Sequence, residues 1–386
     1  MTVQEVLLYF LKCEIIEYDY NENTLDVSEE VIKNAFLLAK KHSVAHIFAE
    51  GVRKSGMKIS DELLTELKNS VILNYTSCFR KNVALEKIKK TLSEERVRFI
   101  PLKGSVIKDY YPGKWLRNSC DIDILIEEQN IEKAVEVLCE QLHYVFDKKA
   151  SHDVSLYCGN VHLELHFQLV EEGLANKASK VLKDVWKLSY PNQKNEYEYI
   201  MPDDLFYFYH IAHMAMHFKG AGCGIRNFLD LWVLNHKIDY DLEKRNSLLK
   251  NGELYKFALE SEKLSEVWFS DHIHTDLSKS IEEYVFKSGV YGSRKNRVAI
   301  ERSENDNGIV YWLLRVFQPY VVMKYNFPVL NKHPYLLPLM WVKRWNRILF
   351  SKQGKDNIKS EMYENKTFEK EYSKRVNKML TDLKLL

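Results

Sequence analysis

Apolar residues recur at three- and four-residue spacing from Gln4 to about Leu92, as at Val31, Ala35, Leu38 and Ala39, and this period predicts helix throughout that stretch. Breaks are expected at Asn21–Asn23 and at Lys54–Lys58. From Arg96 the period changes. The run VRFIPL (97–102) is a short apolar block, and DIDILI (121–126) and VHLELHF (161–167) alternate, so three strands are predicted. Between them, NIEKAVEVLCEQL (130–142) reads as an amphipathic helix with Asn130 as its N-cap. Beyond Pro202 the helical period returns in DDLFYFYHIAHMAMHF, IRNFLDLWVLNHK and further stretches to about Phe286.

These patterns predict a mainly helical α+β protein in three parts: a helical N-terminal domain (1–95), an α/β core with a small mixed sheet (96–200) and a helical C-terminal domain (201–386). Composition agrees. Of 386 residues, 46% are hydrophobic and 28% charged, with only 14 Gly and 8 Pro, which excludes collagen-like, linker-like and disordered classes. The start, MTVQEVLLYF, has no basic region ahead of its apolar residues and carries Glu5, so it reads as a first helix rather than a signal peptide. No apolar run reaches the length of a membrane span. Six cysteines without a C-x-x-C pair read as free thiols of a reducing cytoplasm.

Candidate chemistry concentrates in the α/β part. On a strand, residues i and i+2 share a face, so Asp121 and Asp123 set two carboxylates side by side. Like charges that close repel unless a cation lies between them, and oxygen ligands suit Mg²⁺ or Mn²⁺. Glu164, on an alternating strand, is the candidate third carboxylate of a two-metal clamp for phosphoryl chemistry. Upstream, Gly104 lets the backbone approach a phosphate at a helix start, Ser105 can donate to it, and Lys103 and Arg117 add positive charge. His166 shares the face of Glu164, where it either donates to a phosphate or acceptor or satisfies a neighbour.

The arrangement resembles the polymerase-β-like nucleotidyltransferase superfamily, and within it an uncharacterised bacterial nucleotidyltransferase family. The residues that carry the resemblance are Leu102-Lys103-Gly104, Tyr111-Pro112, Arg117, Asp121-Ile122-Asp123 and Glu164-Leu165-His166. The likeness is expected to run through the His-rich helix to the aromatic C-terminal region. It implies a polymerase-β-like core between helical domains, with Asp121 and Asp123 as metal ligands and Glu164 as the acid that helps activate the acceptor hydroxyl. It also implies Gly104 with Ser105 as the triphosphate contact, and transfer of a nucleoside monophosphate from an NTP with release of pyrophosphate. Two departures bear on geometry: the gap from Ser105 to Asp121 is longer than usual, and Glu stands where Asp is commoner.

His210, His213 and His217 fall on one helical stripe, followed by Lys219, Arg226 and Asp230. Three ligands along one straight helix span about 10 Å, too far for one tetrahedral ion. A basic lining of His213, His217, Lys219 and Arg226 toward the triphosphate or acceptor, polar packing, and a metal shared with other residues are the three readings. Asp230 is expected to orient Arg226 as its i+4 neighbour.

Charge is unevenly spread. The formal net charge is only +2, yet residues 307–355 hold eight Lys or Arg, ten aromatics and no Asp or Glu. Aromatics interleaved with cations suit RNA, the same mix on an amphipathic helix suits an anionic membrane, and aromatics turned inward with solvated cations would be plain packing. After it, Asp356–Leu386 reads as one last helix or a frayed end. The functional expectation is a Mg²⁺-dependent nucleotidyltransferase acting on a small molecule, glycan precursor or peptide, cytoplasmic or peripheral to the membrane. The alternative is a non-catalytic nucleotide- or RNA-binding protein on the same fold.

Overall fold

A computed structural model describes residues 1–16, 27–169, 176–270, 272–303 and 308–386. The break expected at Asn21–Asn23 and the first residue of the acid-free segment lie outside them. The chain divides into two compact units, one of residues 1–216 with 224–279, the other of residues 217–223 with 280–386.

In the first unit the helical period at the N-terminus becomes α1 (Val3–Ile16), α2 (Glu29–Lys41), α3 (Ala45–Lys54) and α4 (Asp61–Glu94). The expected break after Lys54 is real. Ser60 caps α4 through a hydrogen bond from Leu63 N to its hydroxyl (3.4 Å), and Glu29 in turn accepts from the Ser60 amide (2.8 Å). The far end of the 34-residue α4 turns Leu85, Ile88 and Leu92 onto the sheet.

Among the described residues seven strands form one mixed sheet: β1 (Phe99–Pro101), β2 (Asp121–Ile126), β3 (Val145–Lys149), β4 (Asp153–Cys158), β5 (Val161–His166), β6 (Tyr190–Asn192) and β7 (Asn195–Ile200). Their order is β3-β4-β5-β2-β1-β7-β6. The three predicted strands become β1, β2 and β5 in the middle of the order; the other four carry weaker alternation. β2 pairs with β5 in parallel and with β1 antiparallel. Every residue of the outer strand β3 is exposed, and it carries a bulge after Phe146 with Asp147, Lys148 and Lys149, devices that discourage a further strand from adding to the edge. One face of β2 and β5 buries Ile122, Ile124, Leu163 and Leu165 in a core shared with α4 and with Ile131, Ala134 and Leu138 of the helix after β2.

After β1 come a single turn, α5 (Gly104–Ile107), and a loop to β2 that includes 3-10 turns at Lys108–Tyr110 and Lys114–Leu116. The predicted amphipathic helix is α6 (Ile131–Leu142), which buries Ile131, Ala134, Val137 and Leu138. Asn130 stands at the N-cap position without capping. Its side chain donates to Glu127 Oε2 (3.0 Å), so the helix start leans on a preceding turn instead. After α7 (Asn176–Leu182) and α8 (Val185–Leu188) come α9 (Asp203–Gly220), α10 (Ile225–Lys237), α11 (Leu242–Asn251) and α12 (Tyr255–Phe269). Helix α9 is apolar nearly all round and correspondingly buried, and it runs from the first unit into the second.

The second unit is helical: most of α13 (Asp276–Lys287), then α14 (Arg294–Ser303), α15 (Gly308–Val316), α16 (Tyr320–Asn326), α17 (Leu337–Phe350), α18 (Lys352–Lys366) and α19 (Lys370–Asp382). Buried Asn296 ties three of these together, donating to Ser288 Oγ (2.7 Å) and accepting from Tyr372 OH (2.6 Å). The C-terminal stretch expected as one helix or a frayed end is two helices. The second is docked, burying Tyr372, Val376, Met379 and Leu380.

Candidate active site

Parallel pairing of β2 with β5 sets Asp121 opposite His162 and Asp123 opposite Glu164. Because side chains alternate along each strand, Asp121, Asp123, His162, Glu164 and His166 emerge on one face, away from the Ile and Leu core. β4 adds Ser155, opposite Glu164, and its hydroxyl lies 2.8 Å from His162 Nε2. Two sets of donor atoms, Asp121/His162/Glu164 and Asp123/Glu164/His166, each lie within 4.8 Å of one another, close enough to share an ion. No such group among the described residues includes His210, His213 or His217.

Asp123 is the buried centre of this face. Its Oδ1 accepts from Lys103 Nζ (2.7 Å) and from His166 Nε2 (2.8 Å). Burial alone would raise the Asp123 carboxyl, but Lys103 and His166 outweigh it and hold the group far below the usual carboxylate range. The same contacts hold Lys103 above its usual value in spite of burial. They hold His166 up as well, where burial would lower it. Glu164 is pulled down by His166, whose Nε2 lies 3.6 Å from its Oε2, against burial. Asp121 moves the other way: burial, then the Asp123 charge beside it, raise its carboxyl against the pull of Lys103. A raised acid next to ionised neighbours is the electrostatic condition that a bound cation relieves.

Lys103 reaches Asp123 from an unusual backbone. At φ 46°, ψ −125° it occupies a region that L-residues rarely adopt, and it forms the N-cap of α5. The next residue has no room for a side chain: a Cβ on Gly104 would stand 1.8 Å from Ser119 Oγ. This close approach, rather than a Gly-rich loop, is why glycine is needed there. Ser105 lies in the first turn, its amide donating to Leu102 O (3.1 Å).

Arg117, expected near a phosphate, lines the cleft beside Gly104 and Ser105 and is buried and paired. Its buried Nε donates to Asp230 Oδ1 (2.5 Å), which also accepts from Tyr111 OH (2.7 Å), while Nη1 reaches Asn118 O (3.0 Å) and Ser119 Oγ (3.2 Å). Asp230 therefore anchors Arg117 and Tyr111 of the loop before β2, partners from outside its own helix. Arg226 Nη1 bonds Asn118 O (3.4 Å) in the same loop, and its charge is one of those that lower Asp121. His210 lies buried against Asn227 O (3.3 Å), and burial pushes its imidazole down, so it reads as polar packing. His213 lies beside Tyr209, ring centres 6.3 Å apart. His217 and Lys219 belong to the second unit.

Four participants escaped the sequence reading. His162 was legible in principle, two residues before Glu164 on the same alternating strand. Lys81 and Lys108 were not. Helix α4 delivers Lys81 to Ser119 O, and Lys108 Nζ bonds Asn82 Oδ1 (2.5 Å). Both line a cleft of about 20 Å³ with Gly104, Ser105 and Asp121. Tyr209 is the fourth: it is buried, its hydroxyl has no hydrogen-bond partner among the described residues, and it lies near enough to Asp123, Glu164 and Asp121 for their charges to help raise it, after burial.

No curated protein and no solved structure matches the chain. The family described as uncharacterised nucleotidyltransferase matches residues 29–270, from α2 to the end of α12. That span takes in the whole sheet and every residue quoted above for the site, and stops short of the aromatic segment that the resemblance was expected to reach. With its mixed sheet flanked by helices and the match extending over more than half its length, the chain belongs to the uncharacterised nucleotidyltransferase family.

Proposed function

We propose that the protein is a Mg²⁺-dependent nucleotidyltransferase that moves a nucleoside monophosphate from an NTP to a hydroxyl or phosphate group of a small molecule, glycan precursor or peptide. The observation that carries this reading is the register of β2 against β5, which gathers Asp121, Asp123 and Glu164 on one polar face. The donor set suits a divalent ion: each group offers two carboxylates and one imidazole, His162 in one and His166 in the other, and carboxylate oxygens are the ligands that Mg²⁺ and Mn²⁺ favour. Such an ion, held by Asp121, Glu164 and Asp123, supplies charge neutralisation for the triphosphate when bound.

The chain's own groups divide the remaining work. Lys103 and His166 hold Asp123 ionised and in place. Glu164, itself held ionised by His166, is the group placed to receive the acceptor proton as the acceptor oxygen bonds the α-phosphorus and the α–β bridging P–O bond breaks, its electron pair leaving with pyrophosphate. Lys81, Lys108 and Arg226 supply positive charge around the Gly104 turn, and Arg117 positions the loop. The cleft there admits a water-sized group, so a triphosphate would lie across its mouth.

A second reading, a nucleotide-binding protein without transferase activity, is favoured by one observation: Asp123 Oδ1 already has two cationic partners. One experiment separates the two. NTP binding by purified protein is titrated with Mg²⁺ and with EDTA, for the wild type, Asp121→Asn and Glu164→Gln. The transferase reading expects binding that needs the metal and falls at least about tenfold in each variant. Affinity equal in EDTA supports the second reading, and no NTP binding by the wild type overturns both.

A further inference from the structure

The acid-free segment, outside the family match, is resolved by the structure into two kinds of surface. Of its aromatics, Tyr311 and Phe327 are buried, while Phe317, Tyr335 and Phe350 are exposed. Trp341 Nε1 donates to Gln318 O (2.9 Å) and Trp345 Nε1 to Val316 O (3.0 Å), while Phe317 packs edge-on against the Trp341 ring, centres 5.1 Å apart. Tyr311 is buried, its hydroxyl on Glu361 (2.7 Å), and Arg315 pairs with the same carboxylate. On α17 what faces outward is chiefly aliphatic and basic. Helix α17, LPLMWVKRWNRILF, buries none of its fourteen residues. Leu339, Val342 and Leu349 line its exposed side at spacings of three and seven, with Phe350 at its end 85% exposed. Lys343 and Arg347 share that side, and Lys332, Lys352 and Lys355 are exposed at the two ends.

We propose that this face of α17 is a docking surface for an anionic lipid bilayer. An aliphatic stripe flanked by Lys and Arg, with no acid in reach along the segment, is the pattern of a helix lying in the headgroup layer, where apolar side chains insert and cations meet phosphate. Such a helix lies on the membrane; no helix among the described residues is long and apolar enough to cross one. RNA is the poorer partner for this face, because reading unpaired bases needs aromatic faces turned outward, and the two indoles of α17 are tied down by the backbone. A second copy is poorer still: a two-fold interface would bring the same uncompensated positive patch against itself. The inference concerns the second unit alone and stands whether or not the site in the first unit transfers nucleotides.

The test is flotation of the full-length protein with vesicles of phosphatidylcholine, alone or with about 30% phosphatidylglycerol. The protein is expected to float with the anionic vesicles, to stay behind with the neutral ones, and to be released by about 0.5 M NaCl. Leu339→Glu with Leu349→Glu is expected to lower anionic-vesicle affinity at least about tenfold. Phe350→Ser, at a position outside any core, should weaken it too, with circular dichroism checking that both variants keep the wild-type fold. Failure to float with anionic vesicles overturns the proposal, as does equal binding to neutral ones or no loss in folded variants. Binding of single-stranded RNA or a concentration-dependent dimer, either abolished by the same substitutions while flotation persists, overturns it as well.

Discussion

Lys103 Nζ and Asp123 Oδ1 lie 2.7 Å apart, joining the turn after β1 to the middle of β2, and the lysine makes this contact from a left-handed backbone. Two costs meet in one residue. A strained φ/ψ pair persists only where surrounding interactions over-determine it, and the ion pair with the buried carboxylate is the interaction available here.

Replacing Lys103 should separate those costs. Lys103→Ala removes a partner of a buried charge and is expected to destabilise by about 3 kcal/mol, reduced where His166 still compensates Asp123. Lys103→Gly loses the same ammonium but relieves the backbone, so it should be more stable than Lys103→Ala by about 1 kcal/mol. Urea unfolding of the two variants measures the difference; equal values would show that the backbone carries no strain.

Asp230 is the counter-charge of a buried guanidinium. Asp230→Asn leaves Arg117 without it and should cost about 3–5 kcal/mol. Asp230→Asn with Arg117→Met removes both charges and should recover a large part of that loss. The comparison, again by denaturant unfolding, tests whether Arg117 belongs to the scaffold. A mild effect of Asp230→Asn accompanied by lost nucleotide affinity would return Arg117 to the ligand.

At Gly104 the nearest obstacle is the Ser119 hydroxyl oxygen, with Arg117 Nη1 and Ser119 Cβ each 3.2 Å from where a Cβ would stand. Gly104→Ala forces its Cβ against Ser119 Oγ and is expected to destabilise by about 1–3 kcal/mol. Adding Ser119→Ala removes that oxygen and should restore most of the loss, which thermal melts of the single and double variants will show.

Acid should loosen the junction between α3 and the loop. His46, buried with Nε2 donating to Leu116 O (2.9 Å), is lowered to about 4 by burial, against that hydrogen bond and helped by the charges of Arg226 and Arg117. An unfolded histidine titrates near 6.5, so between about 6.5 and 4 the unfolded chain binds the extra proton. Stability contributed by His46 is therefore present above about 6.5 and falls as the pH drops through that window, by up to about 3 kcal/mol. His46→Gln is expected to flatten the acid limb of a melting-temperature profile over that range.

Read alone, the chain carries the local half of this structure. Alternation in DIDILI and VHLELHF is enough to make strands and to align their acids, because a strand repeats every two residues whatever its neighbours. The helical period does the same for α1 to α4 and for α9 and α10. Which strand lies beside which is another matter. Nothing in either segment says that β2 accepts β5 in parallel, yet that register alone sets Glu164 beside Asp123 and admits His162.

The partners of the charged side chains were hidden for the same reason. Lys103 reads as a phosphate ligand by its position before a glycine, and Arg117 by its place in the motif, but ion pairs spanning 20 and 113 residues depend on where folded backbones pass one another. Lys81, from the middle of a long helix, has no local mark at all. In the acid-free segment composition establishes the charge, while only packing decides that the indoles of α17 are anchored to the backbone and that Leu339 and Leu349 face outward. Periodicity is a property of neighbours along the chain; neutralisation of a buried charge is a property of neighbours in space, and in this protein the candidate site is built from the second kind.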